Sequence, residues 1–336
     1  MTRRIAVVGA GSWGTALANL LAKKELDVTV WSYEPDVADA ISRTHENARY
    51  LKGMPLAPGL RATTDLAAAV DGAGVILSVS PSQHVRRTLE PVIARLAPDA
   101  LVVSASKGIE TSTLKTMAEV FDDILPAPMA RRACFLSGPS FALEVAREQP
   151  TAVAVASADM SAAEDAQSLF QTDYFRVYTN PDVRGVELGG ALKNVIALGA
   201  GMATGLGFGH STIAALITRG LAEITRLGRA LGASPQTFAG LAGMGDLILT
   251  CTGDLSRNRS VGVALGQGKP LAEVLAGMTM VAEGVETTRA AYALARRTEV
   301  PMPIVEEVHA VLFEDRPARL AVENLMLRRP RAEVWQ

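Results

Sequence analysis

The sequence predicts an α/β protein: a mostly parallel, doubly wound sheet followed by an all-helical region. Three observations carry that expectation. Strand and helix signals alternate through the first half of the chain. A glycine hexapeptide stands where the first strand meets the first helix. After Asn180-Pro181 clear strand signals stop. With 336 residues, 49% hydrophobic and 20% charged, the chain is long enough for two cores and too apolar for a disordered or collagen-like polymer. The boundary falls near residue 181, giving a sheet domain of residues 1–180 and a helical domain of residues 181–336.

Taken in order, Ile5–Val8 is a continuous β-branched run, as expected for a strand buried on both faces. Thr15–Lys24 follows with apolar residues at helical spacing, then a strand at Asp27–Trp31 and a helix at Pro35–Arg43 with proline in its first turn. Val75–Val79, Leu101–Ser104, Cys134–Leu136 and Ala152–Ala156 read as further strands. In the second half, Val183 to about Leu231 is helical with one glycine break. Pro235–Leu249, Val261–Leu265, Leu271–Leu275, Tyr292–Arg297 and Pro303–Phe313 add helix.

Composition excludes several function classes. Lysine and arginine number 33 against 35 aspartates and glutamates, a net charge of −2, so no general affinity for nucleic acid is expected. The tail arginines Arg328, Arg329 and Arg331 read as a solvated terminus. Cys134 and Cys251 are too few for a disulfide framework and fit a reducing cytoplasm. The opening MTRRIAVVGAGSWG is basic and then apolar, but too short and glycine-rich for a signal peptide. The longest uncharged stretch, Asn194 to Thr218, carries five glycines and His210-Ser211-Thr212. It reads as a buried helix, a turn and a second helix, not a membrane span.

Gly9-Ala10-Gly11-Ser12-Trp13-Gly14 matches G-x-G-x-x-G between a strand and a helix, the context of a Rossmann-type dinucleotide site. Gly9 permits the tight turn, Gly11 lets a pyrophosphate approach the backbone, and Gly14 lets helix and strand pack closely. The helix amino terminus supplies free N–H groups and positive potential. The second strand ends at Trp31-Ser32-Tyr33-Glu34, with no carboxylate at its terminus and no arginine beside it, which leaves NAD and NADP both open.

For the chemistry, His45, His84, His210 and His309 are not spaced as metal ligands, and no metal is expected. Lys193 is more informative, because its helix is otherwise almost entirely small and apolar. Its side chain leans over Gly189 and Gly190, which are expected to leave a bare surface for a ligand. Partial burial would lower its pKa and make it a usable proton donor; a lysine snorkelling to the surface is the plainer alternative. Lys107 and Gly138-Pro139-Ser140 follow sheet strands at their carboxyl ends, where open α/β sheets bind ligands. Asp246 and Thr250 are four apart and share a helix face. Ser256 is a plausible cap for a helix starting at Arg257 and Asn258, whose N–H groups and guanidinium suit a phosphate. A proton donor, an orienting carboxylate and a phosphate grip describe a phosphate-bearing ketone and alcohol pair.

Seven blocks then resemble one family. GAGSWGTALA, SASKGIE, LSGPSFALEV, GVELGGALKNVIALGAG, AALITRGLAE, AGMGDLILTCTGDLSRNRSVG and VAEGVETT are similar to bacterial NAD(P)-dependent glycerol-3-phosphate dehydrogenase, in order from about residue 4 to residue 315. The resemblance implies reduction of dihydroxyacetone phosphate to sn-glycerol 3-phosphate with NADH or NADPH, in support of glycerophospholipid synthesis. It places the proton-transferring group on Lys193. It implies substrate contacts at Lys107, Gly138, Ser140, Lys193, Asp246, Ser256, Arg257 and Asn258. Cofactor contacts fall on Ser12, Trp13, Tyr33, Tyr50, Lys107, Ala142, Arg257, Val281 and Glu283, beside Gly9, Gly11 and Gly14 of the loop. Asn194 and Thr250 resemble polar neighbours of the active lysine. Tyr33 stands where the family often has arginine or histidine, and His210-Ser211-Thr212 where asparagine is common. A 3-hydroxyacid or 6-phosphogluconate-type dehydrogenase is the alternative within the class, opposed by the SRNRS and KGIE segments. A non-catalytic dinucleotide sensor is the alternative outside it. The long apolar helices suggest a homodimer.

Overall fold

The computed structural model describes residues 3–278, 280–330 and 332–333; of the tail arginines, Arg331 lies outside them. Eight strands make one sheet: β1 Ile5–Val8, β2 Val28–Trp31, β3 Arg61–Thr63, β4 Val75–Ser78, β5 Leu101–Ser104, β6 Cys134–Ser137, β7 Thr151–Ala156 and β8 Phe175–Asn180. Their order is β3-β2-β1-β4-β5-β6-β7-β8, and all neighbours run parallel except β6 and β7. The order reverses between β1 and β4, which makes the carboxyl end of β1 the switch point where ligands bind in sheets of this kind. Ile5–Val8 is buried on both faces, as its unbroken apolar run requires.

Two strands lie outside the sequence expectation. β3 has three half-exposed residues at the sheet edge, too short and polar to signal itself. β8 did carry a signal: Phe175 and Val177 are buried while Arg176 and Tyr178 are exposed, the period-two alternation of an edge strand.

Beyond Asn180 the described elements are helical. Val183–Gly205 runs through the middle and is buried without interruption from Leu188 to Ala203. Glycines make this possible. A Cβ on Gly201 or Gly205 would collide with the Arg259 and Val263 carbonyls, and one on Gly262 or Gly266 with the Leu198 and Met202 carbonyls. The central helix and the Arg257–Gly266 helix therefore touch backbone to backbone, through a four-residue glycine spacing on each. After a turn at Leu206–Gly209 the chain re-enters helix at His210–Ala230, and no described helix is long and apolar enough to cross a membrane.

The stretch expected as one helix at Pro235–Leu249 is divided. Pro235–Phe238 is followed by a π-helical turn at Leu241–Gly245 and then an α-helix at Asp246–Thr252. The break is steric, because a Cβ on Gly243 would fall inside the Phe238 backbone, so only glycine allows the chain to fold back this tightly. Wide turns of this type recur at functional sites, and this one ends on Asp246. The helix expected at Tyr292–Arg297 begins earlier, at Glu283, while the Arg257–Gly266 helix starts where the Ser256 cap predicts.

Candidate active site

A cleft of about 800 Å³ separates the sheet from the helical region. On the sheet side, Gly9 turns at φ +124° against the Val79 backbone, and Gly14 lies where a Cβ would strike the Gly9 carbonyl. Gly11 behaves differently: a Cβ there would meet nothing within 4 Å, so its face is open to the cleft. Gly11 is also the N-cap of the Ser12–Lys23 helix and offers no side chain to its first N–H groups. These donors and their dipole fit the pyrophosphate of a dinucleotide. Beneath the loop, Asn47 donates from Nδ2 to the Ala10 carbonyl (2.9 Å) and to Thr15 Oγ1 (2.8 Å), fixing the turn from below.

On the opposite wall, Lys193 projects from the central helix and is only 7% exposed. Its Nζ donates to Asp246 Oδ1 (2.5 Å) and to Thr250 Oγ1 (2.9 Å). Lys107 reaches across from the carboxyl end of β5 and donates to Asp246 Oδ2 (2.8 Å) and to the Gly138 carbonyl (3.2 Å). One carboxylate thus bridges two ammonium groups, one from each lobe. Burial pushes the Lys193 pKa down to about 8; the nearby Asp246 carboxylate opposes that shift, and Lys107 reinforces it. Burial pushes the Asp246 carboxyl up, but Lys107 and Lys193 together outweigh it and hold the group below the usual carboxylate value. An ammonium has three N–H donors. Two of Lys193's are taken, which leaves one for the cleft that the residue lines.

Farther along, Ser256 Oγ accepts from the Arg259 N–H and caps the Arg257–Gly266 helix, as its sequence position predicted. Arg257 donates to the Val281 carbonyl (2.8 Å), while Asn258 donates to Asn194 Oδ1 and accepts from the Gly284 N–H, both at 2.9 Å. Glu283 closes the far end: its Oε2 accepts from Ser82 Oγ at 2.8 Å, a second tie between the lobes.

Most of the residues singled out from sequence line this one cleft, including the loop glycines, Trp13, Tyr33, Tyr50, Lys107, Ser140, Ala142, Lys193, Asp246, Ser256, Arg257, Asn258, Val281 and Glu283. Gly138 stands behind it, at φ +142° with its carbonyl on Lys107. The bare surface expected at Gly189 and Gly190 is not there. The Ala242 backbone packs on Gly189, and Ser137 with the Lys107 stem packs on Gly190, so these glycines serve close packing. His210 is exposed at the start of its helix, away from the cleft lining, whereas His84 does line the cleft. Two residues tied to the site were not singled out. Ser82, the hydroxyl partner of Glu283, carried no signal. Glu34 did, since it follows Gly14 by about twenty residues, the spacing at which an acidic side chain meets a ribose. Among the described residues no cluster of histidine, cysteine and carboxylate side chains could hold a metal ion.

Residues 4–163 match the family model described as NAD-dependent glycerol-3-phosphate dehydrogenase N-terminus, and residues 182–323 that of its C-terminus. The chain is 60% identical to a glycerol-3-phosphate dehydrogenase (NAD(P)+) of Geobacter metallireducens over 99% of both chains. It is 59% identical to that of Geobacter sulfurreducens over 100% of both. Among solved structures it resembles the glycerol-3-phosphate dehydrogenase of Coxiella burnetii, with TM-score 0.92 and 38% identity over 97% of this chain and 99% of that one.

Proposed function

The chain belongs to the NAD-dependent glycerol-3-phosphate dehydrogenase family, and we propose that it interconverts dihydroxyacetone phosphate and sn-glycerol 3-phosphate with NAD(H) or NADP(H). The observation that carries this reading is the remaining N–H of Lys193, held on the cleft wall opposite the dinucleotide loop. The nicotinamide, when bound, supplies or takes the hydride. Lys193 gives its proton to the ketone oxygen in reduction and takes it back in oxidation. Asp246 holds the lysine in place and keeps enough ammonium character in a buried site for it to act as an acid. Lys107 adds positive charge where the alkoxide develops.

The amino terminus of the Arg257–Gly266 helix, with Arg257 and Asn258, holds the phosphate. Gly138 and Ser140 shape the same end through Lys107 and the β6 loop. Gly9, Gly11, Ser12, Trp13 and Gly14 hold the dinucleotide, together with Tyr33, Tyr50, Ala142, Val281 and Glu283. We read residues 1–180 as the dinucleotide-binding domain and 181–336 as the substrate domain, since β8 ends at Asn180 and the central helix starts at Val183. The same reading places the enzyme in the cytoplasm, where its two free cysteines stay reduced, feeding glycerophospholipid synthesis. It is a homodimer, covering apolar side chains such as Leu320, Met326 and Leu327 that one copy leaves exposed.

A steady-state assay with dihydroxyacetone phosphate, NADH and NADPH side by side tests the reading, with Lys193→Ala as the control. Turnover by a folded Lys193→Ala protein at the wild-type rate would refute the lysine's role. Light scattering at monomer mass would refute the dimer.

A further inference from the structure

We infer that Glu34 makes this enzyme prefer NADH to NADPH. The inference rests on the reading of the cleft as a nicotinamide dinucleotide site and concerns the end where the adenosine ribose lies. β2 pairs with β1 in register, Val8 beside Trp31, and the Gly9 N–H donates to the Trp31 carbonyl (3.1 Å). Residues 32–34 therefore leave the sheet beside the pyrophosphate loop, where dinucleotide folds of this topology receive the ribose hydroxyls.

The Glu34 side chain lines the cleft there, and its carboxylate is held on both sides. Oε1 accepts from the Tyr50 hydroxyl at 2.7 Å, and Oε2 lies 3.4 Å from Ser32 Oγ, which itself accepts from the Glu34 N–H at 3.2 Å. Glu34 is also the N-cap of the Pro35–Thr44 helix, so its backbone has little freedom to swing away. A carboxylate held like this accepts hydrogen bonds and donates none. It suits a vicinal diol and repels a 2′-phosphate.

Arg49, beside Tyr50 in the chain, is engaged elsewhere and does not line the cleft. It lies 3.6 Å from Asp36 and its guanidinium sits over the Tyr50 ring at 5.4 Å. Lys52 does line the cleft, but on an exposed turn. Tyr33, 81% exposed on the rim, brings an aromatic face and no charge.

The test is equilibrium binding of NADH and NADPH to the full-length protein without substrate, read by quenching of Trp13 and Trp31, both in the cleft wall. Wild type is expected to bind NADH at least about tenfold more tightly than NADPH. In Glu34→Gln the amide oxygen keeps the Tyr50 contact and the charge is gone. NADPH binding should tighten by about tenfold and NADH binding should weaken, because the amide loses the charged acceptor for the diol, so the two constants should approach each other. An unchanged far-UV circular dichroism spectrum and Tm certify that the variant is folded. Equal affinities in wild type, or an unchanged ratio in Glu34→Gln, overturn the inference and leave the dehydrogenase reading intact. Failure of wild type to bind either nucleotide overturns both.

Discussion

Lys193 should set the pH dependence of catalysis in both directions, with mirror-image limbs. Its pKa of about 8 follows from burial, partly offset by Asp246 and reinforced by Lys107. Reduction of the ketone needs the ammonium form, so its rate should be level below about pH 8 and fall about tenfold for each pH unit above it. Oxidation of the alcohol needs the neutral amine and should fall about tenfold for each unit below. Two neighbours then move the limb in opposite directions. Asp246→Asn removes the carboxylate that favours the charged form, so the limb should shift toward acid. Lys107→Met removes the ammonium that disfavours it, so the limb should shift toward alkali. Lys193→Met should lower kcat by about two to four orders of magnitude and abolish the limb. The assay is nicotinamide absorbance at saturating cofactor from pH 6 to 10, after checking that each protein stays folded across that range. Opposite shifts would not arise from a general loss of packing. A reductive rate that stays flat to pH 10, or two variants that move the limb the same way, would show that another group titrates.

Other expectations concern stability and binding. Glu187, on the central helix behind Lys107, has Oε2 sealed from solvent, and burial pushes its pKa up to about 8. Between pH 4.5 and 8 the unfolded chain releases a proton that the folded one keeps, so stability falls as pH rises through that window and levels off above it. Glu187→Gln keeps the acceptor for the Ala118 N–H (3.0 Å) and removes the penalty, so it should gain at most roughly 4 kcal/mol over wild type at pH 8 and little at pH 4.5. Equal denaturant midpoints for the two proteins at both pH values would exclude this. Gly262→Ala forces a methyl into the Leu198 carbonyl and should cost about 3 kcal/mol or more, lowering Tm. Because it also moves the Arg257 end of that helix, KM for the phosphate substrate should rise; a wild-type Tm would mean the two helices are not in backbone contact. Gly14→Ala should weaken dinucleotide binding at least about tenfold by forcing the loop off the Gly9 carbonyl, which calorimetry would reveal.

Much of this molecule follows from short-range rules. The apolar run at Ile5–Val8, the hexapeptide ending at Gly14, the Ser256 cap and the loss of strand signals after Asn180 are each set by a few neighbouring residues acting through backbone sterics and periodicity. They were legible for that reason. Even the missed β8 alternates visibly, and Glu34 stands at a readable distance from the glycines. The π-helical turn at Leu241–Gly245 was not legible, because its cause is the Phe238 backbone folded onto Gly243.

The electrostatics of the lysine–carboxylate cluster belong wholly to the tertiary structure. Asp246 meets Lys193 across 53 residues of sequence and Lys107 across 139. A lone lysine in an apolar helix announced a candidate, but its acidity depends on how deeply it is buried and which charges face it. Those are properties of packed surfaces from distant segments. The same holds for the glycines: the sequence marked Gly189 and Gly190, and only the folded chain shows which carbonyl or side chain fills the space each leaves.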